Sequence, residues 1–271
     1  MRCAYVDLDS TLLGPGASLL RAADGSFTLQ GVRALQACER AGAEVVLMSG
    51  RRQAQVAEDA RLLGQTAYIF EAGSCLVLEG EEHWLTGDYL PGDAGSIHDQ
   101  IEASGAAALL LEHYAGRLEY HDPWHRNREV SHLFRGLVDA AEADALLAER
   151  GHGGLRLVDN GGVHRRSPDL VALDEVRAYH LVPRGASKAN AVARHMHARG
   201  LRPEEVIAVG DSREDMETAA HVGTFWFVAN AVRRDPTLRD AIAGRANVRI
   251  AEESYGAGVY EAIVTTLASR G

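Results

Sequence analysis

The feature that most constrains this chain is a rhythm in which short apolar runs alternate with helical segments and end in polar residues. Cys3 to Val6 is one such run and stops at Asp7. Val45 to Met48 is a second, followed by Ser49, Gly50 and a helical stretch to Leu63, and Tyr68 to Phe70 is a third. Between the first two, Gly25 to Gly42 carries Val32, Leu35 and Cys38 at helical spacing. Strand, helix, strand, helix, strand predicts a parallel sheet of the α/β class. Buried parallel strands read as continuous apolar runs, and their carboxyl ends are where ligands gather.

The rhythm breaks near Trp84. An Ala- and Leu-rich stretch ending near Tyr114 predicts one long helix, and a polar, histidine-rich segment from His121 to His132 follows. A second helix is expected over Val138 to Glu149, and Asn160-Gly161 between extended segments signals a hairpin. Beyond Pro183 the first rhythm returns, with a helix from Ser187 to Arg199, a strand from Val206 to Val209, a helix from Glu214 to His221 and a strand from Phe225 to Val228. The expected organisation is a Rossmann-like parallel-sheet core formed by residues 1–86 and 179–271, with an α+β cap inserted at 87–178.

The chain has 271 residues, enough for a large domain or two modest ones. Its net charge of -10 and pI near 5.6 argue against nucleic-acid or anionic-membrane partners. An acidic protein that takes an anionic substrate needs a local cation site. Cys3, Cys38 and Cys75 are odd in number and widely spaced, so no disulfide framework or cysteine zinc site is indicated. With no secretory pattern and no apolar run of spanning length, a cytoplasmic protein is expected. Nothing in the sequence sets the number of subunits.

Four places at or near predicted strand ends carry chemistry: Asp7-Leu8-Asp9-Ser10-Thr11, Ser49-Gly50-Arg51, Lys188, and Gly210 to Asp215. Asp7 and Asp9 flank one leucine, so in extended chain they project to the same side. Two carboxylates can divide labour, one attacking phosphorus and the other exchanging protons with the leaving and attacking oxygens. A phosphoester repels such a nucleophile, so a divalent cation is required between them, and Asp211 is the natural further ligand. Magnesium suits an all-oxygen site. Ser49 and Lys188 supply a hydrogen bond and a fixed positive charge for the phosphoryl group. Thr11, Gly50 and Arg51 complete the core candidates for substrate contact. Each motif alone has a plainer role, as turn, helix cap or solvated charge. Their order and their placement at strand ends favour catalysis.

On these four motifs the chain resembles the haloacid dehalogenase superfamily, in its phosphatase branch with a large cap after the third strand. Glu71-Ala72-Gly73 and Ala229-Asn230-Ala231 extend the likeness. The resemblance implies that Asp7 forms an aspartyl-phosphate and that Asp9 acts as general acid and then base. It also implies a magnesium ion on Asp7, the Asp9 carbonyl and Asp211, with Asp215 beside it as ligand or support. Two departures stand out: Ser10 replaces a commoner glycine, and Glu214 stands where asparagine is common. The insertion most resembles those of the Cof-like, sucrose-phosphate and mannosyl-phosphoglycerate phosphatases.

The resulting expectation is a magnesium-dependent phosphatase of a small phosphorylated metabolite, with sugar phosphates the leading class. The alternatives are a phosphosugar mutase and a non-catalytic phosphosugar-binding regulator. From the insertion, Arg126, Arg128 and Ser131 are expected to touch substrate, with Arg165 and Arg166 as weaker candidates. His121, His125 and His132 lack a carboxylate or cysteine partner at ligand spacing and are expected to be scattered polar or partly buried histidines. Trp84, Trp124 and Trp226 are expected to pack.

Overall fold

The computed structural model describes residues 1–93, 95–163 and 167–269. Arg165 and Arg166 lie outside the described residues. Among the described residues, twelve strands form two sheets. The strands are β1 (Cys3–Asp7), β2 (Glu44–Met48), β3 (Ala67–Phe70), β4 (Cys75–Leu78), β5 (Glu81–Trp84), β6 (Leu118–Tyr120), β7 (His132–Gly136), β8 (Leu155–Gly162), β9 (Arg177–Pro183), β10 (Val206–Gly210), β11 (Thr224–Phe227) and β12 (Val248–Ile250). The helices are α1 (Gln30–Arg40), α2 (Gln53–Leu63), α3 (Ile97–Ser104), α4 (Ala106–His113), α5 (Ala140–Glu149), α6 (Lys188–Arg199), α7 (Arg213–Met216), α8 (Ala229–Arg234), α9 (Leu238–Ala241) and α10 (Tyr255–Ala268).

The large sheet runs β12-β11-β10-β1-β2-β3-β4-β5, with the first six strands parallel and the last two antiparallel. β1 and β10 lie side by side at its centre, every residue of both buried. A strand covered on both faces gains from apolar residues at every position, which is why CAYVD and VIAVG carry no alternation. The α/β core expected from the alternation is present, and β4 and β5 add an antiparallel edge that the rhythm did not announce.

The second sheet, β6-β7-β9-β8, is wholly antiparallel and has its own apolar core with α3, α4 and α5. The single helix expected up to Tyr114 is two. Gly105, at φ +80°, takes a left-handed conformation that ends α3 and starts α4, and Ser96 with Asp99 forms a capping box at the start of α3. Asn160-Gly161 is not a turn. It lies inside β8 where the register with β9 shifts between Asp159 and Gly162, a bulge that inserts extra backbone into the pairing. β9 crosses the boundary expected at residue 178, because its pairing with β7 and β8 continues to Pro183.

Candidate active site

Asp7 is the last residue of β1, and Asp211 follows the last residue of β10. Since these strands are neighbours in parallel register, their carboxyl ends deliver both carboxylates to one place. A Cβ on Gly210 would lie 2.3 Å from the Asp215 Cβ, so only glycine lets β10 run into this turn. Ser212 then caps α7 by accepting from the Asp215 amide, while Asp215 Oδ2 accepts from the Ser212 amide and hydroxyl and from the Asp211 amide.

Lys188 is the first residue of α6, behind the cap residue Ser187. A cation at a helix N-terminus opposes the helix dipole, and three carboxylates offset this. Its Nζ donates to Asp7 Oδ1 at 2.9 Å and to Asp215 Oδ1 at 2.7 Å, and stands 3.2 Å from Glu214 Oε2. Burial alone would lower the Lys188 pKa, yet Asp215, Asp7 and Glu214 hold it well above its ordinary value. Burial pushes Asp7 well above the usual carboxylate range, against the pull of Lys188. Burial likewise raises Asp211 to about 6, although Arg234 opposes it. Arg234 Nη2 donates to Asp211 Oδ2 at 2.5 Å from the end of α8.

The donor set fits a hard divalent cation. Carboxylate oxygens of Asp7, Asp211 and Asp215 lie within 4.8 Å of one another. Among the described residues here, four buried carboxylates (Asp7, Asp211, Glu214 and Asp215) face two cations, Lys188 and Arg234. The imbalance of two negative charges in a desolvated place is what a divalent ion on oxygen ligands would neutralise. Both Asp215 oxygens already accept hydrogen bonds, so Asp215 acts mainly by ordering the 211–215 turn.

Ser49, buried at the end of β2, lines the same cavity, and its Oγ accepts from the Arg51 amide at 3.1 Å. Arg51 grips Asp9 through two bonds of 2.7 Å and also donates to Asp59 at 2.8 Å. This bidentate pair fixes the Asp9 carboxylate at the cavity edge, about half exposed. The Thr11 hydroxyl is enclosed and does not line the cavity.

Above these groups is a cavity of about 460 Å³, roofed by the antiparallel sheet and its loops through His121, Trp124, Leu133, Asn160, Ala178 and His180. The insertion candidates fare unequally. Arg126 is a correction: it is exposed, pairs with Asp122 at 2.6 Å and does not line the cavity. Arg128 reaches the cavity but is committed to the Gly50 and Trp124 carbonyls and the Ser131 hydroxyl, 3.6 Å from Glu71 Oε2. Ser131 gives its amide and hydroxyl to Glu71. A fully buried carboxylate needs such partners, and Glu71 takes two more from the amides of Glu129 and Val130. Arg128 and Ser131 therefore brace the roof to the β3 turn.

Trp124 is a second correction. Trp84 and Trp226 pack as expected, but Trp124 is more than half exposed at the cavity mouth. His132 is buried against the His98 ring, whereas His121 lines the cavity. Sequence reasoning also missed Arg234 and His180. Arg234 lies four residues past Asn230, one helical turn on, and His180 interrupts an otherwise apolar run in a buried strand. Both signals were visible.

Comparison with known proteins agrees with this geometry. A family model described as haloacid dehalogenase-like hydrolase matches residues 174–247. A phosphoglycolate phosphatase of Methanoculleus marisnigri is 27% identical over 234 residues, 82% of each chain. Among solved structures, the sucrose-phosphatase of Synechocystis, in complex with sucrose and phosphate, superposes with a TM-score of 0.68 at 17% identity over 98% of both chains. A haloacid dehalogenase-like hydrolase from B. subtilis gives 0.59 at 18% identity, over 97% of this chain and 99% of that one. Over residues 174–247 and in overall fold, this chain is similar to the haloacid dehalogenase-like hydrolases.

Proposed function

We propose that the protein is a magnesium-dependent phosphomonoesterase acting on a small phosphorylated metabolite through an aspartyl-phosphate on Asp7. The observation that carries this reading is the convergence of Asp7, Lys188, Asp211 and Asp215 at the carboxyl ends of two adjacent parallel strands. Asp7 attacks phosphorus, while Asp9, on the same side two residues on, gives a proton to the leaving oxygen and later takes one from water. Lys188 holds Asp7 in place and offsets charge on the phosphoryl oxygens, and Ser49 offers its hydroxyl to one of them. Asp7, Asp211 and the Asp9 carbonyl would hold magnesium, which when bound neutralises charge between nucleophile and phosphate.

Residues 87–183 act as the cap that sets substrate choice, because the groups below read only a phosphoryl group. The leading substrate class is a sugar phosphate or another hydroxyl-rich phosphomonoester, supported by the polar, uncharged roof formed by Trp124, Asn160 and His180. The relatives named phosphoglycolate phosphatase support a second reading, a small acid phosphate, with Arg234 and Arg51 as the cations near its carboxylate. A screen of phosphorylated metabolites for phosphate release, with magnesium and with chelator, tests the activity. Release that persists under exhaustive chelation would rule out the metal, and conserved phosphoester would indicate a mutase.

A further inference from the structure

His180 sits on β9, opposite Leu133 of β7 and Val158 of β8, with about 1% of its surface exposed. It is the buried histidine of the roof that lies against the phosphoryl-binding turn. A methyl group placed on Gly50 would find His180 Nε2 at 2.8 Å and Asn160 Nδ2 at 3.0 Å. The two nitrogens therefore pack side by side against Gly50, whose lack of a side chain lets them approach, and both residues line the cavity beside Ser49.

The hydrogen bonds fix the tautomer. Ser131 has one hydroxyl hydrogen, and Glu71, a carboxylate with no hydrogen to give, receives it at 2.8 Å. Toward its other neighbours Ser131 Oγ must accept, which it does from Arg128 Nη1 at 3.1 Å and from His180 Nδ1 at 3.0 Å. The His180 proton is thus on Nδ1. Burial first, and then the charges of Arg128 and Lys188, keep the ring neutral. Nε2 is left as an acceptor beside the amide donor of Asn160.

We infer that His180 and Asn160 form a hydroxyl-reading subsite: a leaving-group hydroxyl donates to His180 Nε2 while accepting from Asn160 Nδ2. A hydroxyl satisfies both nitrogens. A carboxylate satisfies only the amide and sets a negative oxygen against a buried lone pair, which costs affinity. Fluorine offers no donor at all. This inference rests on the phosphomonoesterase reading and chooses between its two substrate classes in favour of the hydroxyl-bearing one.

The test uses the full chain with magnesium and four esters of similar size: hydroxyethyl, fluoroethyl and ethyl phosphate, and phosphoglycolate. For the unaltered protein, kcat/KM on the hydroxyethyl ester should exceed that on the fluoroethyl and ethyl esters by about tenfold, the size of one hydrogen bond, and that on phosphoglycolate by more. His180→Phe should bring the ratio of kcat/KM on hydroxyethyl phosphate to that on ethyl phosphate from about ten down to about one, and His180→Gln, which retains an acceptor, should restore part of the preference. Equal rates on the hydroxyl and fluoro esters, a preference for phosphoglycolate, or a hydroxyl preference that survives His180→Phe would each overturn the subsite. The fluoroethyl comparison decides even where the phenylalanine variant does not fold. Calorimetric binding of the same esters separates this inference from its parent. Absent hydrolysis with hydroxyl-selective binding that His180→Phe abolishes would remove the phosphatase reading and keep the subsite, whereas indiscriminate binding of all four would remove the subsite.

Discussion

The floor and the roof of the cavity are built on opposite electrical plans. On the floor, Asp7, Glu214 and Asp215 crowd around Lys188, and Asp211 around Arg234, so charge is concentrated and buried. The roof presents His180, Asn160, Leu133 and Trp124 to the same space, and the buried cation Arg128 beside them is spent on the Gly50 carbonyl and on Glu71. Chemistry on a phosphate needs fixed charges aimed at developing charge, whereas choosing among leaving groups needs neutral donors and acceptors of defined geometry. Each half of the cavity has only one of these properties.

The contrast breaks first at Asp7. Asp7→Asn should lower kcat by about four orders of magnitude or more on every ester, with the circular dichroism spectrum unchanged, because it removes the nucleophile and an anionic ligand together. Appreciable turnover by the folded variant would shift catalysis away from the floor. Lys188→Met should cost about 3–5 kcal/mol in denaturant unfolding, since three carboxylates lose their shared partner inside the protein. A loss below about 1 kcal/mol would mean that water already screens the cluster.

How much of this was legible in the sequence follows the same division. Asp7, Ser49 and Asp211 could be found because each ends an apolar run, and strand ends are where parallel sheets place ligands. The roof had no such marker. Arg128 and Ser131 drew attention as a cation and a hydroxyl, but which way they face is decided by Glu71, nearly sixty residues earlier in the chain. Arg126 differs from Arg128 by two positions and lies outside the cavity, a distinction that depends on loop path rather than residue type. The bulge at Asn160-Gly161 was misread as a turn because the same dipeptide serves both.

The smaller predictions concern the roof. Glu71→Gln should destabilise the protein by about 2 kcal/mol and lower kcat/KM on a phosphosugar more than on an aryl phosphate, because it weakens four hydrogen bonds between the β3 turn and the roof. Equal losses on both esters would assign Glu71 to the floor. Burial, and then His98, hold His132 down at about 4, with Glu102 and Tyr120 as its other polar neighbours. Its folded pKa is below the unfolded value near 6.5, so its contribution to stability is present above pH 6.5 and lost as pH falls toward 4. His132→Phe should flatten the unfolding free energy across that window by about 2 kcal/mol, and an unchanged slope would show the ring to be solvated. Arg126→Ala should change kcat/KM by less than about twofold on any ester, as expected for an exposed ion pair. A tenfold loss would return Arg126 to the site.

The turn after β3 sets the terms on which this roof can be exchanged. Glu71, Ala72 and Gly73 all have positive φ, and the carboxylate they project is held by three successive amides and one hydroxyl at residues 129–131. A graft of another protein's specificity module onto this scaffold would inherit an unhydrated anion at the seam. The transplant must arrive with its own amide cradle at that point, or with Glu71 replaced by a neutral residue, whatever the match of its binding surface to the new ester.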